Sequence, residues 1–192
     1  MSVKRSRVHL NAKQKRNAGL ILRLVVLICR RMMHIADQSI KLTVCKLQEN
    51  KAVMQQFTQQ ISVKAQGRKL YDITPQTVQW ANSHGLQTGL LTLYIQHTSA
   101  SLLINENYDS DVLVDMEAFF NRLVPDGDKL FIHTVEGPDD MPAHVRTALT
   151  QTSLSIPLMD GALALGQWQG LFLFEHRHLP ATRRIIMHLI GE

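Results

Sequence analysis

Phe57, Gln59, Ile61 and Val63 fall at every second position with polar residues between them, a period of two that predicts a half-buried strand. Gly67 marks a turn into a second extended stretch, Lys69 to Ile73. Thr74-Pro75 then reads as a helix start, Thr74 as N-cap and Pro75 at the first helical position, with Val78, Trp80 and Ala81 in the helix and Gly85 and Gly89 bracketing its end. Leu90 to Gln96 is apolar enough on both faces to be a central strand, and Ser101 to Asn105 reads as its neighbour. Apolar residues at three- and four-residue steps (Val112, Met116, Phe119, Phe120, Leu123) predict a helix over Asp109 to Leu123, stopped by Pro125-Asp126-Gly127. Met141 to Thr150 predicts another helix, opened by Asp140 and Pro142. Strands are expected over Ser153–Leu158, Gly170–Glu175 and Arg184–Leu189, with Gly161 and Gly166 in the turns between them. Strands, then helices, then strands imply an α+β domain and exclude a regularly alternating, doubly wound sheet.

Charge divides this chain in two. Residues 1–51 carry 12 Lys/Arg against Asp37 and Glu49, whereas residues 52–192 carry 9 against 14 Asp/Glu. The formal charge of +5 over 192 residues therefore misdescribes the main domain, whose mildly acidic surface argues against nucleic acid as a partner. The expected organisation is a basic extension over 1–52, unstructured or the product of a start placed upstream of Met54, and a single domain over 53–192. The apolar run Ala18 to Cys29 is interrupted by Arg23 and falls short of the ~20 residues that a spanning helix needs. Arg30-Arg31 stands where a secretory cleavage site would have small residues, so no membrane is expected for the main domain; a surface-lying amphipathic helix is the alternative for the extension. Cys29 and Cys45 both precede the domain, which thus depends on no disulfide and fits a cytoplasmic location.

Six of the nine histidines lie between His97 and His188, several beside carboxylates or hydroxyls at element ends. His97 precedes Thr98 and Ser99 at a strand junction, and Asn105-Glu106-Asn107 follows where the next strand ends. Imidazole with carboxylate suits divalent-metal binding or proton transfer near neutral pH, although such a turn can equally satisfy itself. His133 and His144 flank the acidic loop Glu136-Gly137-Pro138-Asp139-Asp140, and His144 follows Asp140 by four, which places both on one helix face. Asp140 is equally suited to capping that helix. Trp168 and Gln169 sit in a Gly166–Gly170 turn where a ring can stack and an amide can read a heterocycle's edge; a core Trp at a corner fits as well. Glu175-His176-Arg177 and Arg183-Arg184 supply a carboxylate and guanidinium groups suited to phosphate or to surface ion pairs. No Gly-rich phosphate loop, nucleophile elbow or dinucleotide fingerprint is present, which argues against nucleotide hydrolysis and covalent serine chemistry.

Taken together, Gln96-His97-Thr98-Ser99-Ala100-Ser101-Leu102, Asn105-Glu106-Asn107, Glu136 through His144, and Gly166-Gln167-Trp168-Gln169-Gly170 through Arg177 resemble the bacterial YjbQ family, in one order from about Val53 to Glu192. The resemblance departs at Gln167, where the family more often has Thr or Ser. It implies an antiparallel β-sandwich with flanking helices, assembled as a homotrimer. It also implies weak thiamin phosphate synthase activity, in which hydroxymethylpyrimidine pyrophosphate and thiazole phosphate are joined and pyrophosphate is released. The site residues it implies are His97, Glu106 and Glu175 as catalytic candidates, and Thr98, Ser99, Asn105, Trp168, Gln169 and Arg183 as substrate contacts. His97, His133, Asp140 and His144 are the expected ligands of a divalent metal, magnesium or zinc. The alternative is a metal-binding homotrimer with another ligand-binding or metal-assisted hydrolytic role on a small phosphorylated compound.

Overall fold

In the computed structural model, the described residues are 53–192 together with Val26, Leu27, Arg30 and Arg31, which are helical and exposed. The division of the chain falls between Ala52 and Val53, and both sheets belong to the second unit. The expectations for the extension lie outside the described residues. No helix among the described residues is long and apolar enough to cross a membrane.

In chain order the elements are β1 (Gln55–Ala65), β2 (Lys69–Asp72), α1 (Thr74–Asn82), β3 (Gly89–Ile95), β4 (Ala100–Glu106), α2 (Ser110–Leu123), α3 (Asp140–Leu149), β5 (Ser153–Met159), β6 (Ala162–Leu163), β7 (Gln169–Glu175) and β8 (Ala181–Gly191). The strands form two antiparallel sheets, one in the order β1-β8-β3-β5-β6 and one in the order β2-β7-β4. Alternation dictates which side chains fill the space between them. Leu154, Ile156 and Leu158 of β5, Leu91, Leu93 and Ile95 of β3, and Ile185, Met187 and Leu189 of β8 share one core with Leu171 and Leu173 of β7. The intervening β7 residues, Phe172 and Phe174, point the other way and pack on Leu113, Met116 and Phe120 of α2. Because β7 is covered on both faces, it is buried from Gly170 to Glu175.

The structure corrects three local expectations. The strand over Ser101 to Asn105 is not the neighbour of β3: β4 pairs with β7 in the smaller sheet, and Gln96 to Ser99 carry the chain from one sheet to the other. Thr74 does not cap α1, because its hydroxyl accepts the Leu171 N–H at 2.8 Å and so ties the helix start to β7, while Ile73 holds the cap position. Gly89 lies inside β3, where any Cβ would strike the Ile190 carbonyl of β8, so it is required by strand approach and does not end a helix.

Candidate functional site

The change of sheet after β3 sets the first wall of the site. His97, Thr98 and Ser99 emerge there beside the start of α3 and line an open cleft of about 840 Å³ with His144 and Arg183. Across it, Asp139 and Asp140 open α3. Asp140 is buried, and its carboxylate does not cap the helix. Oδ2 lies 2.8 Å from His133 Nε2 and 3.3 Å from His144 Nε2. Oδ1 accepts from Arg177 Nη1, and the same guanidinium reaches Asp139 Oδ2 through Nε at 3.2 Å and the Glu136 carbonyl through Nη2 at 2.7 Å. Burial works against the Asp139 carboxylate, but the His178 N–H and the Arg177 guanidinium outweigh it and hold its pKa below the usual carboxylate range.

His133, Asp140 and His144 each offer one donor atom, and these atoms lie within 4.8 Å of one another. The chemistry of this set fits a divalent cation. His144 Nδ1–H donates to the Thr98 carbonyl at 2.8 Å, which turns the ring so that Nε2 faces Asp140. Two imidazole nitrogens and one carboxylate oxygen then converge, with the second carboxylate oxygen fixed by Arg177. Three protein ligands with room beside them are what a catalytic ion site requires.

Three of the four expected metal ligands thus meet, and the fourth does not. The His97 Nε2 lone pair is spent on the Arg184 N–H at 2.8 Å, so the ring is held as part of the cleft wall, with Nδ1 3.4 Å from Arg183 Nη1. Burial lowers the His97 pKa, and Arg183 and Arg184 lower it further against the opposing pull of Glu175, which keeps the ring neutral.

Glu175 also departs from its expected catalytic role. It is fully buried and does not line the cleft, and its oxygens accept from Arg183 at 2.5 and 2.7 Å and from the His176 and Arg177 N–H groups at 3.0 and 2.9 Å. Arg183 follows from the strand period: it occupies the inward file of β8 with Ile185 and Met187, so its guanidinium enters the interior and needs a buried counter-charge. Beyond Glu175 it reaches Ser99 Oγ through Nη2 at 3.2 Å and lies beside His97 through Nη1. Asn105, Glu106, Trp168 and Gln169 lie at the far end of the same sheet. Ala100 pairs with Glu175 and Glu106 with Gln169, six residue steps away, or about 20 Å. Trp168 is no core residue; it is half exposed and meets Tyr108 edge to face at 4.7 Å. Gln169 Oε1 accepts the Gly166 N–H at 2.8 Å and so closes its own turn.

Two partnerships carried no sequence signal. Arg177 clamps the acidic loop from 37 residues away, and Asp126, read only as a turn residue, joins Arg68 at 2.9 Å, Arg146 at 3.3 Å and His178 at 2.9 Å.

A family model described as UPF0047 protein YjbQ-like matches residues 59–192. A UPF0047 protein of Synechocystis sp. is 45% identical over 141 residues, 73% of this chain and 96% of that protein. The UPF0047 protein YjbQ of Escherichia coli O157:H7 is 42% identical over 137 residues, 71% of this chain and 99% of that protein. Among solved structures, a YbjQ-like protein of unknown function from Sulfolobus solfataricus P2 shares the fold with a TM-score of 0.67 at 23% identity, covering 73% of this chain and all of that one. A hypothetical protein from Aeropyrum pernix K1 gives 0.66 at 28% identity, covering 71% and 99%. With the matched residues spanning both sheets, the cleft and the His133–Asp140–His144 cluster, the chain belongs to the YjbQ (UPF0047) family.

Proposed function

We propose that the domain holds a divalent cation, zinc or magnesium, through His133, Asp140 and His144, and joins hydroxymethylpyrimidine pyrophosphate to thiazole phosphate. The observation that carries this reading is the convergence of those three donor atoms within 4.8 Å at the border of an 840 Å³ cleft. In the reaction the thiazole nitrogen bonds to the pyrimidine's methylene carbon as the bond from that carbon to pyrophosphate oxygen breaks. When bound, the cation supplies neutralisation of charge on the departing pyrophosphate. The nucleophilic nitrogen carries no proton, so no general base is needed and the burial of Glu175 is no obstacle. Thr98 fixes the His144 ring, Arg177 fixes the Asp140 carboxylate, and His97 and Ser99 present a neutral polar wall to the substrate.

One observation favours a second reading at the same site. Arg177 and Arg183 are both ion-paired with carboxylates, which leaves neither free to grip pyrophosphate, and metal-assisted hydrolysis of a smaller phosphorylated compound asks less of them. Incubating the cation-loaded protein with both precursors separates the two. Thiamin phosphate should form, and the His144→Ala variant should lose it; cation-dependent phosphate release without thiamin phosphate would select hydrolysis. We place the reaction in the cytoplasm and in a homotrimer. Leu130, Ile132 and Val135 stand 80%, 98% and 94% exposed around His133, a surface suited to cover by another copy, and Glu106 and Trp168 lie too far off to serve the cluster of their own chain.

A further inference from the structure

The two imidazoles of the cluster line different cavities. His144 belongs to the large cleft, whereas His133 stands in the wall of a second pocket of about 390 Å³. That pocket lies between the loop after α2 and the first turn of α3. Its walls include Phe131, Pro138, Met141 and Pro142, with Lys129 also lining it.

Shape and chemistry both restrict the occupant. The volume sits at the small end of the ligand-site range, roughly 300–1,000 Å³, enough for a single substituted ring. An aromatic ring, a thioether and two prolines offer flat, polarisable surface. Two polar groups of the loop are turned to its own backbone: the Pro138 carbonyl accepts the Gly127 N–H at 2.9 Å, and Asp128 Oδ1 accepts the Leu130 N–H at 2.8 Å. Lys129 pairs with no carboxylate among the described residues, so it is available to an anion.

We propose that this pocket receives the planar heterocycle of a ring-bearing phosphate ester, with the ring against Phe131 and Met141 and the anionic arm toward Lys129 and His133. The inference rests on the cation-dependent reading of the cluster and adds the place where substrate is recognised. It also replaces Trp168 as the stacking partner within one chain, since that ring lies about a strand length from the cluster.

The test is calorimetric titration of the full-length, zinc-loaded protein with inorganic pyrophosphate and with hydroxymethylpyrimidine pyrophosphate. The ring compound should bind about tenfold tighter or more, the size of discrimination an apolar pocket supplies. Phe131→Ala and Met141→Ala should each erase most of that advantage while leaving the affinity for inorganic pyrophosphate as it was. An advantage that survives both substitutions, or no advantage in the unaltered protein, would overturn the proposal. Pyrophosphate binding that is indifferent to the cation would instead refute the cation-dependent reading. The pocket is then judged by saturation-transfer NMR with hydroxymethylpyrimidine alone: a signal that disappears in Phe131→Ala supports it, and a signal indifferent to that change overturns it.

Discussion

Asp140 concentrates the chemistry of the site in a single carboxylate, one oxygen locked by Arg177 and the other facing two imidazoles. Its relation to His144 was legible because four residues is one helical step, but His133 reaches it from an irregular loop that no periodicity describes. Arg177 stood out as a guanidinium, but its partner in the acidic loop was not legible for the same reason, since ion pairs between distant segments leave no local pattern. Glu175 and Arg183 show the opposite failure. Charged residues near a histidine motif suggest catalysis, and only the strand register reveals that they face the interior and neutralise each other. Replacing Glu175 by Gln should cost about 3–5 kcal/mol of unfolding free energy in urea titration, because it strands a buried guanidinium. His176 adds a pH dependence. Burial, reinforced by Arg146, Arg68 and Arg183, pushes its pKa down to about 3, and its Nε2 lies 2.9 Å from Ser101 Oγ. Below about pH 6.5 the unfolded chain binds a proton that folded His176 refuses, so stability is full above 6.5 and falls with acidification by up to ~1.4 kcal/mol per pH unit. His97, also lowered, acts in the same direction. In His176→Gln the slope of stability between pH 6.5 and 4.5 should flatten; an unchanged slope would assign it elsewhere.

At the scale of elements, period and punctuation located nearly every strand and helix, because each buries one file or stripe of side chains. What they missed was partnership. Alternation in Leu90 to Gln96 and Ser101 to Asn105 is the same whether the two strands pair or face each other, so the crossing between sheets was not readable, although it is what delivers His97, Thr98 and Ser99 to the cleft. The double-sided burial of β7 was similarly implicit in its unbroken apolar run. α2 has no fully buried residue and rests on one stripe, with Phe120 edge to face against Phe174 at 5.4 Å. Phe120→Ala should therefore destabilise the domain by about 2–3 kcal/mol, while Val114→Ala on the exposed side should stay within about 0.5 kcal/mol, both read by chemical denaturation.

For the whole molecule, the charge division between residues 1–51 and 52–192 coincides with the boundary of the compact unit Val53–Glu192, and the expectation that this unit folds by itself can be tested. A chain beginning at Val53 should be soluble, show a cooperative thermal transition and elute at three times its monomer mass in light scattering; aggregation would give the preceding segment a structural part. The strand register divides the residues that the family resemblance brought forward between two ends of a sheet, with the Glu175 end near the imidazoles and Trp168 and Glu106 at the other. The cluster is the end with a definite chemical consequence. Elemental analysis of the purified protein after zinc exposure and exhaustive dialysis puts it most directly to the test. About one ion per chain should remain bound, and the His133→Ala/His144→Ala double variant should retain essentially none while keeping its circular dichroism spectrum. Full zinc content in that folded variant, or none in the unaltered protein, would contradict a cation held by His133, Asp140 and His144.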